Sequence, residues 1–118
     1  MDVSIVIVSY NTCLLLDECI ASVVRETKRP HEIIVVDNAS TDDSCTMLRD
    51  KYPEVILLQN NCNVGFARAN NQGFVLGTGR YFLMLNPDTV VLDGALDKLV
   101  DFMDANPYAG ICGSRNVD

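Results

Sequence analysis

The sequence predicts an α/β protein built on a doubly wound, mostly parallel sheet with helices on both faces. Two observations carry that prediction. Near-continuous apolar, β-branched runs recur along the chain, the pattern of strands covered on both faces. Between them lie segments of helical period, and a parallel return needs such a crossover.

The elements follow in order. "VSIVIV", Val3 to Val8, is the first strand. Leu15, Leu16, Cys19, Ile20 and Val23 then recur at three- and four-residue spacing and predict a helix. "EIIVVD", Glu32 to Asp37, is the second strand, and Ser40 or Thr41 is the expected cap of a helix running to about Lys51. "EVILLQ", Glu54 to Gln59, is the third strand. A helix is expected from about Gly65 to Val75, closed by Gly77 and Gly79. "RYFLML", Arg80 to Leu85, is the fourth strand, and Leu92, Leu96, Leu99, Val100 and Met103 mark a helix beginning at Leu92. A short fifth strand is expected at "AGICG", Ala109 to Gly113. No internal repeat or linker divides the chain.

Bulk properties narrow the function. With 118 residues, 48% hydrophobic and 21% charged, the chain has the size and balance of one globular domain or part of one. Its net charge of −7 argues against nucleic acid or an anionic membrane as partner, because neither polyanion would release counterions against it. The five cysteines form no Cys-x-x-Cys pair and read as reduced thiols of a cytoplasmic protein. With His31 as the only histidine, a zinc site or a histidine-based triad is not expected. No window approaches the ~18 apolar residues of a membrane span, so no membrane segment is expected in this chain.

Ligands of open α/β sheets bind outside the carboxyl ends of the strands, where the strand order reverses. Polar residues gather at three such ends: Ser9, Tyr10 and Asn11 after the first strand, Asp37 to Ser40 after the second, and Asn86 to Asp88 after the fourth. The first loop lacks glycine, which excludes both the dinucleotide fingerprint and the phosphate loop. Taken singly, each cluster also reads as a turn or a helix cap. Asn-Pro-Asp in particular is a good turn, and convergence on one edge is what favours a site.

The stretches "VSIVIVSYN", "EIIVVDNASTDDS", "NVGFARANNQGF" and "YFLMLNPDTVV", followed by "LDKLVDFMDANPYAGICG", together resemble glycosyltransferase family 2, inverting sugar transferases of the GT-A fold. The detail is most similar to a bacterial, rhamnosyltransferase-like branch that builds surface polysaccharides. The resemblance implies that residues 1–118 are the nucleotide-sugar-binding part of a GT-A domain, with the acceptor-binding part absent from this chain. It implies a UDP- or dTDP-sugar as donor, a saccharide or lipid-linked hydroxyl as acceptor, and Mg²⁺ or Mn²⁺ as cofactor.

Residue by residue, the resemblance places Ser9, Tyr10 and Asn11 along the nucleotide base and Asp37 on the base or ribose. Asn38 stands where many relatives carry a second acid. Gly65 and Arg68 lie in the segment closing over the nucleotide. Asn86, Pro87 and Asp88 match the family's D-x-D element, with asparagine replacing its first acid and Asp88 as the metal ligand. The general base is expected beyond Asp118, because Asp93, Asp97, Asp101 and Asp104 read as the solvent face of the last helix. Two alternatives stay open: a non-catalytic nucleotide-binding module and a sugar-phosphate nucleotidyltransferase.

Overall fold

The computed structural model describes residues 1–107. Four strands, β1 (Val3–Ser9), β2 (His31–Asp37), β3 (Ile56–Gln59) and β4 (Tyr81–Leu85), alternate with four helices, α1 (Cys13–Glu26), α2 (Ser44–Lys51), α3 (Phe66–Leu76) and α4 (Ala95–Ala105). All pairings are parallel and the strand order is β3-β2-β1-β4. The order reverses between β1 and β4. The expected fifth strand at Ala109–Gly113 lies outside the described residues.

Helices cover both faces, as the strand pattern predicts. Leu16, Cys19, Ile20 and Val23 of α1, Leu48 of α2, and Leu96 and Val100 of α4 form one core with Val3, Ile5, Ile7, Ile33 and Val35. On the opposite face Ala69 of α3 packs with Val6, Ile34 and Val36. Gly73 brings α3 close to the sheet: a Cβ there would stand 2.4 Å from Cγ1 of Val6.

Coverage is complete only at the centre. Because α3 sits over β1 and β2, the β4 side chains on its face stay open, with Phe82 44% and Met84 56% exposed. Tyr81, Leu83 and Leu85 point to the other face and pack against the main core. A groove of about 470 Å³, lined by residues including Tyr81, Leu83, Leu99 and Met103, runs between β4 and α4.

Three boundaries differ from the sequence reading. α2 begins at Ser44 rather than at a Ser40 or Thr41 cap, because side chains already satisfy the preceding N–H groups: Asp37 takes that of Ser40, Asn11 takes those of Thr41 and Asp42, and Asp42 takes that of Ser44. α4 begins at Ala95 rather than at Leu92, since Asp93 (φ 54°) and Gly94 (φ 64°) adopt left-handed backbone that a right-handed helix cannot contain. β3 is shorter than expected, spanning Ile56–Gln59.

The acids of α4 also differ from a simple solvent face. Asp97 accepts the backbone N–H groups of Lys28 and Arg29 at 3.0 Å each through its closest contacts. Asp101 and Asp104 pair with Arg29, and Asp104 also pairs with Arg80. These bonds tie α4 to the amino edge of the sheet.

Candidate functional site

The carboxyl edge of the sheet is assembled from four consecutive loops. Backbone bonds continue the ladder past the strands, from the Asn38 N–H to the Ser9 carbonyl and from the Asn60 N–H to the Asp37 carbonyl, both at 2.9 Å. Asn11, at φ 49°, stitches the first loop to the second: its Oδ1 accepts the Thr41 N–H at 2.7 Å, and its own N–H donates to Ser40 Oγ at 2.9 Å. Asparagine tolerates this left-handed backbone better than most residues.

Two of the expected site residues are buried and engaged internally. Asp37 is fully buried, and its two carboxylate oxygens accept the N–H (2.9 Å) and O–H (2.6 Å) of Ser40. Asn38, 3% exposed, donates to the Gly65 carbonyl at 3.4 Å and accepts from Asn60 Nδ2 at 3.1 Å. Asn60 exchanges two further amide bonds with Gln72 of α3, at 2.9 and 3.1 Å. Asn38 therefore joins the second strand end to the loop that enters α3, where Gly65 takes φ 87°. Ser9 is buried too, its hydroxyl 2.8 Å from that of Thr12.

The other expected residues are open. Tyr10 is 51% exposed, and Asn11, Gly65, Arg68, Asn86 and Asp88 are exposed. Neither Arg68 nor Asp88 forms an ion pair among the described residues. Register places the β1 and β4 loops side by side, since Ile7 pairs with Leu85, two residues before Ser9 and one before Asn86. At the strand-order reversal, where open α/β sheets form their ligand crevice, the loop carrying Tyr10 and Asn11 therefore neighbours the Asn86–Asp88 turn.

That turn is a real β-turn as well. The Thr89 N–H donates to the Asn86 carbonyl at 3.0 Å, with Pro87 at the position that presets φ. The same carbonyl receives the thiol of Cys19 at 3.7 Å. Burial first, then the nearby charge of Asp88, pushes the Cys19 thiol up to about 12. No group of three or more histidine, cysteine, aspartate or glutamate side chains able to hold a metal occurs among the described residues.

Sequence reasoning passed over the residues beneath this edge. Ser22 of α1 accepts the Val91 N–H at 2.8 Å, just beyond the turn. A serine on the apolar stripe of the first helix was the available signal. Asn60 and Gln72 gave none, because amides twelve residues apart carry no pattern without the fold.

A doubly wound parallel sheet with polar loops gathered at its switch point is the architecture in which α/β proteins bind their ligands. Residues 4–118 match the glycosyl transferase family 2 profile, and the chain belongs to that family. Relatives include a poly(ribitol-phosphate) beta-glucosyltransferase of Bacillus spizizenii, 35% identical over 90% of this chain and 18% of its own length. Another is the N-acetylglucosaminyl-diphospho-decaprenol L-rhamnosyltransferase of Mycobacterium tuberculosis, 30% identical over 92% of this chain and 39% of its own.

Among solved structures, S. aureus TarS 1-349 in complex with UDP superposes with a TM-score of 0.79 at 22% identity, over 89% of this chain and 32% of that one. The mannosyltransferase PcManGT of Pyrobaculum calidifontis, in complex with GDP-Man and Mn²⁺, superposes with a TM-score of 0.72 at 25% identity, over 83% and 30%. The chain spans between 12% and 36% of the length of the first five curated relatives it matches. No helix among the described residues is long and apolar enough to cross a membrane.

Proposed function

We propose that this chain is the donor-binding part of an inverting glycosyltransferase that moves a sugar from a UDP- or dTDP-sugar to an acceptor hydroxyl, in the synthesis of bacterial surface polysaccharide. The observation that carries the reading is exposed Asp88 on the turn that neighbours the Tyr10 loop at the strand-order reversal. The glucosyl- and rhamnosyltransferase relatives support the reaction class and the setting, and the GDP-Man and Mn²⁺ complex of PcManGT supports a metal-assisted donor site.

The residues present fit a divalent cation. Mg²⁺ and Mn²⁺ take oxygen ligands, and such sites commonly use one or two carboxylates with substrate phosphates rather than an all-protein cage. Asp88, exposed and outside every ion pair among the described residues, supplies one carboxylate of that kind, and Asn86 adds an amide oxygen on the same turn. When bound, the metal would neutralise charge growing on the departing diphosphate.

The chain's own side chains do the rest. Tyr10 offers an exposed ring for the nucleotide base, and exposed Arg68 on the first turn of α3 offers a guanidinium to the diphosphate. Asp37 and Asn38 act behind this surface: one holds the Ser40 turn and the other holds the Gly65 backbone close to the crevice. A base that takes the proton of the attacking hydroxyl belongs to this mechanism, and none of the residues named above is assigned that role.

Calorimetric titration of UDP and dTDP, with and without Mn²⁺, tests the reading. The expected result is metal-dependent binding that Asp88→Ala abolishes. Metal-independent binding, or metal-dependent binding unchanged in Asp88→Ala, overturns it.

A further inference from the structure

We infer that Ser22 is a positioning residue for Asp88: its buried hydroxyl fixes the turn that carries the metal-binding carboxylate relative to the opposite wall of the crevice. The inference rests on the proposed role of Asp88 and adds the device that sets where that carboxylate stands.

The bonds form a continuous path from α1 to both ends of the turn. Ser22 Oγ–H donates to the Cys19 carbonyl at 2.7 Å, one turn back in the helix. With its proton committed, the hydroxyl presents lone pairs outward, and one of them accepts the Val91 N–H at 2.8 Å. Cys19 in turn donates its thiol to the Asn86 carbonyl. Asn86 and Val91 bracket Asp88, so both flanks of the turn are held by residues three apart on one helix. Ser22 is 1% exposed, Cys19 fully buried and Val91 3% exposed, which keeps water from replacing these bonds. At 3.7 Å the thiol contact is the weaker, and the hydroxyl therefore governs.

α1 also begins at Cys13, directly after the loop carrying Tyr10 and Asn11. A single rigid helix thus spans the reversal point, with one wall of the crevice at its start and the other hung from its middle. A serine hydroxyl in an apolar stripe has a cost in desolvation unless fully bonded. Here both its donor and an acceptor function are used.

The test compares two buried serines that make the same pattern of bonds. Ser4, at the amino edge of β1, donates to Glu32 at 2.6 Å and accepts the Gly79 N–H at 2.8 Å, far from the crevice. Ser22→Ala and Ser4→Ala should both lower the melting temperature. Only Ser22→Ala should weaken Mn²⁺-dependent UDP binding, by roughly five- to tenfold for one hydrogen bond's worth of positioning, with metal-free nucleotide binding unchanged. In the metal-free protein, amide exchange at Val91 should quicken in Ser22→Ala and not in Ser4→Ala.

Cys19→Ala provides a second variant should Ser22→Ala fold poorly, and it should weaken the metal-dependent binding by a smaller factor. Equal metal-dependent affinity in Ser22→Ala and the wild type, with Asp88→Ala inactive, overturns this inference alone. Equal losses in Ser22→Ala and Ser4→Ala also overturn it, by reducing Ser22 to a stability role. Loss of metal dependence in the wild type itself overturns the role of Asp88 and this inference together.

Discussion

The Asp37 carboxylate is closed off by Ser40, which donates its N–H to one oxygen at 2.9 Å and its O–H to the other at 2.6 Å, in a position with no exposure. Ser40→Ala removes the hydroxyl and strands one carboxylate oxygen in the core, and it also deprives the Asn11 N–H of its acceptor. A buried group left unsatisfied costs about 1–3 kcal/mol. Urea denaturation of Ser40→Ala should show a loss in that range with an unchanged m-value.

The approach of α3 to the sheet depends on Gly73. An alanine Cβ would meet Cγ1 of fully buried Val6 at 2.4 Å, so helix or strand must shift. Overpacking of this kind costs about 1–3 kcal/mol. Thermal melts of Gly73→Ala should show it, and Val6→Ala in the same chain should recover part of the loss by opening the space.

Acid should loosen the attachment of α4. Burial alone would raise the Asp97 carboxyl, but the N–H groups of Lys28 and Arg29 bonded to it hold it below its ordinary value of 3.8. A carboxyl whose pKa is lower folded than unfolded contributes stability that is full above the ordinary value and is lost as the pH falls through the folded one. Asp97→Asn should therefore be less stable than the wild type at neutral pH. The gap should narrow below 3.8, as followed by guanidinium unfolding at a series of pH values.

Thiol reactivity should separate the cysteines. Burial pushes the Cys19 thiol up to about 12 and the Cys45 thiol up to about 11, with the charges of Asp88 and Asp37 adding to the respective shifts. Since the thiolate is the nucleophile, iodoacetamide at neutral pH should leave both unmodified in the folded protein. Of the four cysteines among the described residues, exposed Cys62 should be alkylated first, as peptide mass mapping would show.

The fold was legible because its signals are local and repeated. The runs at Val3 to Val8 and Glu32 to Asp37 are continuous since both faces of β1 and β2 are covered, and the switch point followed from the polar strand ends. The boundaries at Ser44 and Ala95 were not legible, because they depend on side chains from other loops and on left-handed backbone at Asp93 and Gly94. At the site, sequence named the edge residues but could not sort the inner from the outer. Asp37 and Asn38 look as available as Asp88 in one dimension, and only the contacts of Ser40, Asn60 and Gly65 show that they are buried and bonded within the protein.

β4 pairs with β1 on one side, and among the described residues its other side has no strand partner. Beside that side lie the exposed Phe82 and Met84 and the groove against α4. An open strand edge next to apolar surface is a template on which another chain can crystallise into β-structure. Whatever covers that edge in the cell therefore acts as a solubility device as much as a piece of architecture. Preparations that leave it bare should gain shelf life from a lysine at position 82 or 84 before any change at the crevice helps them.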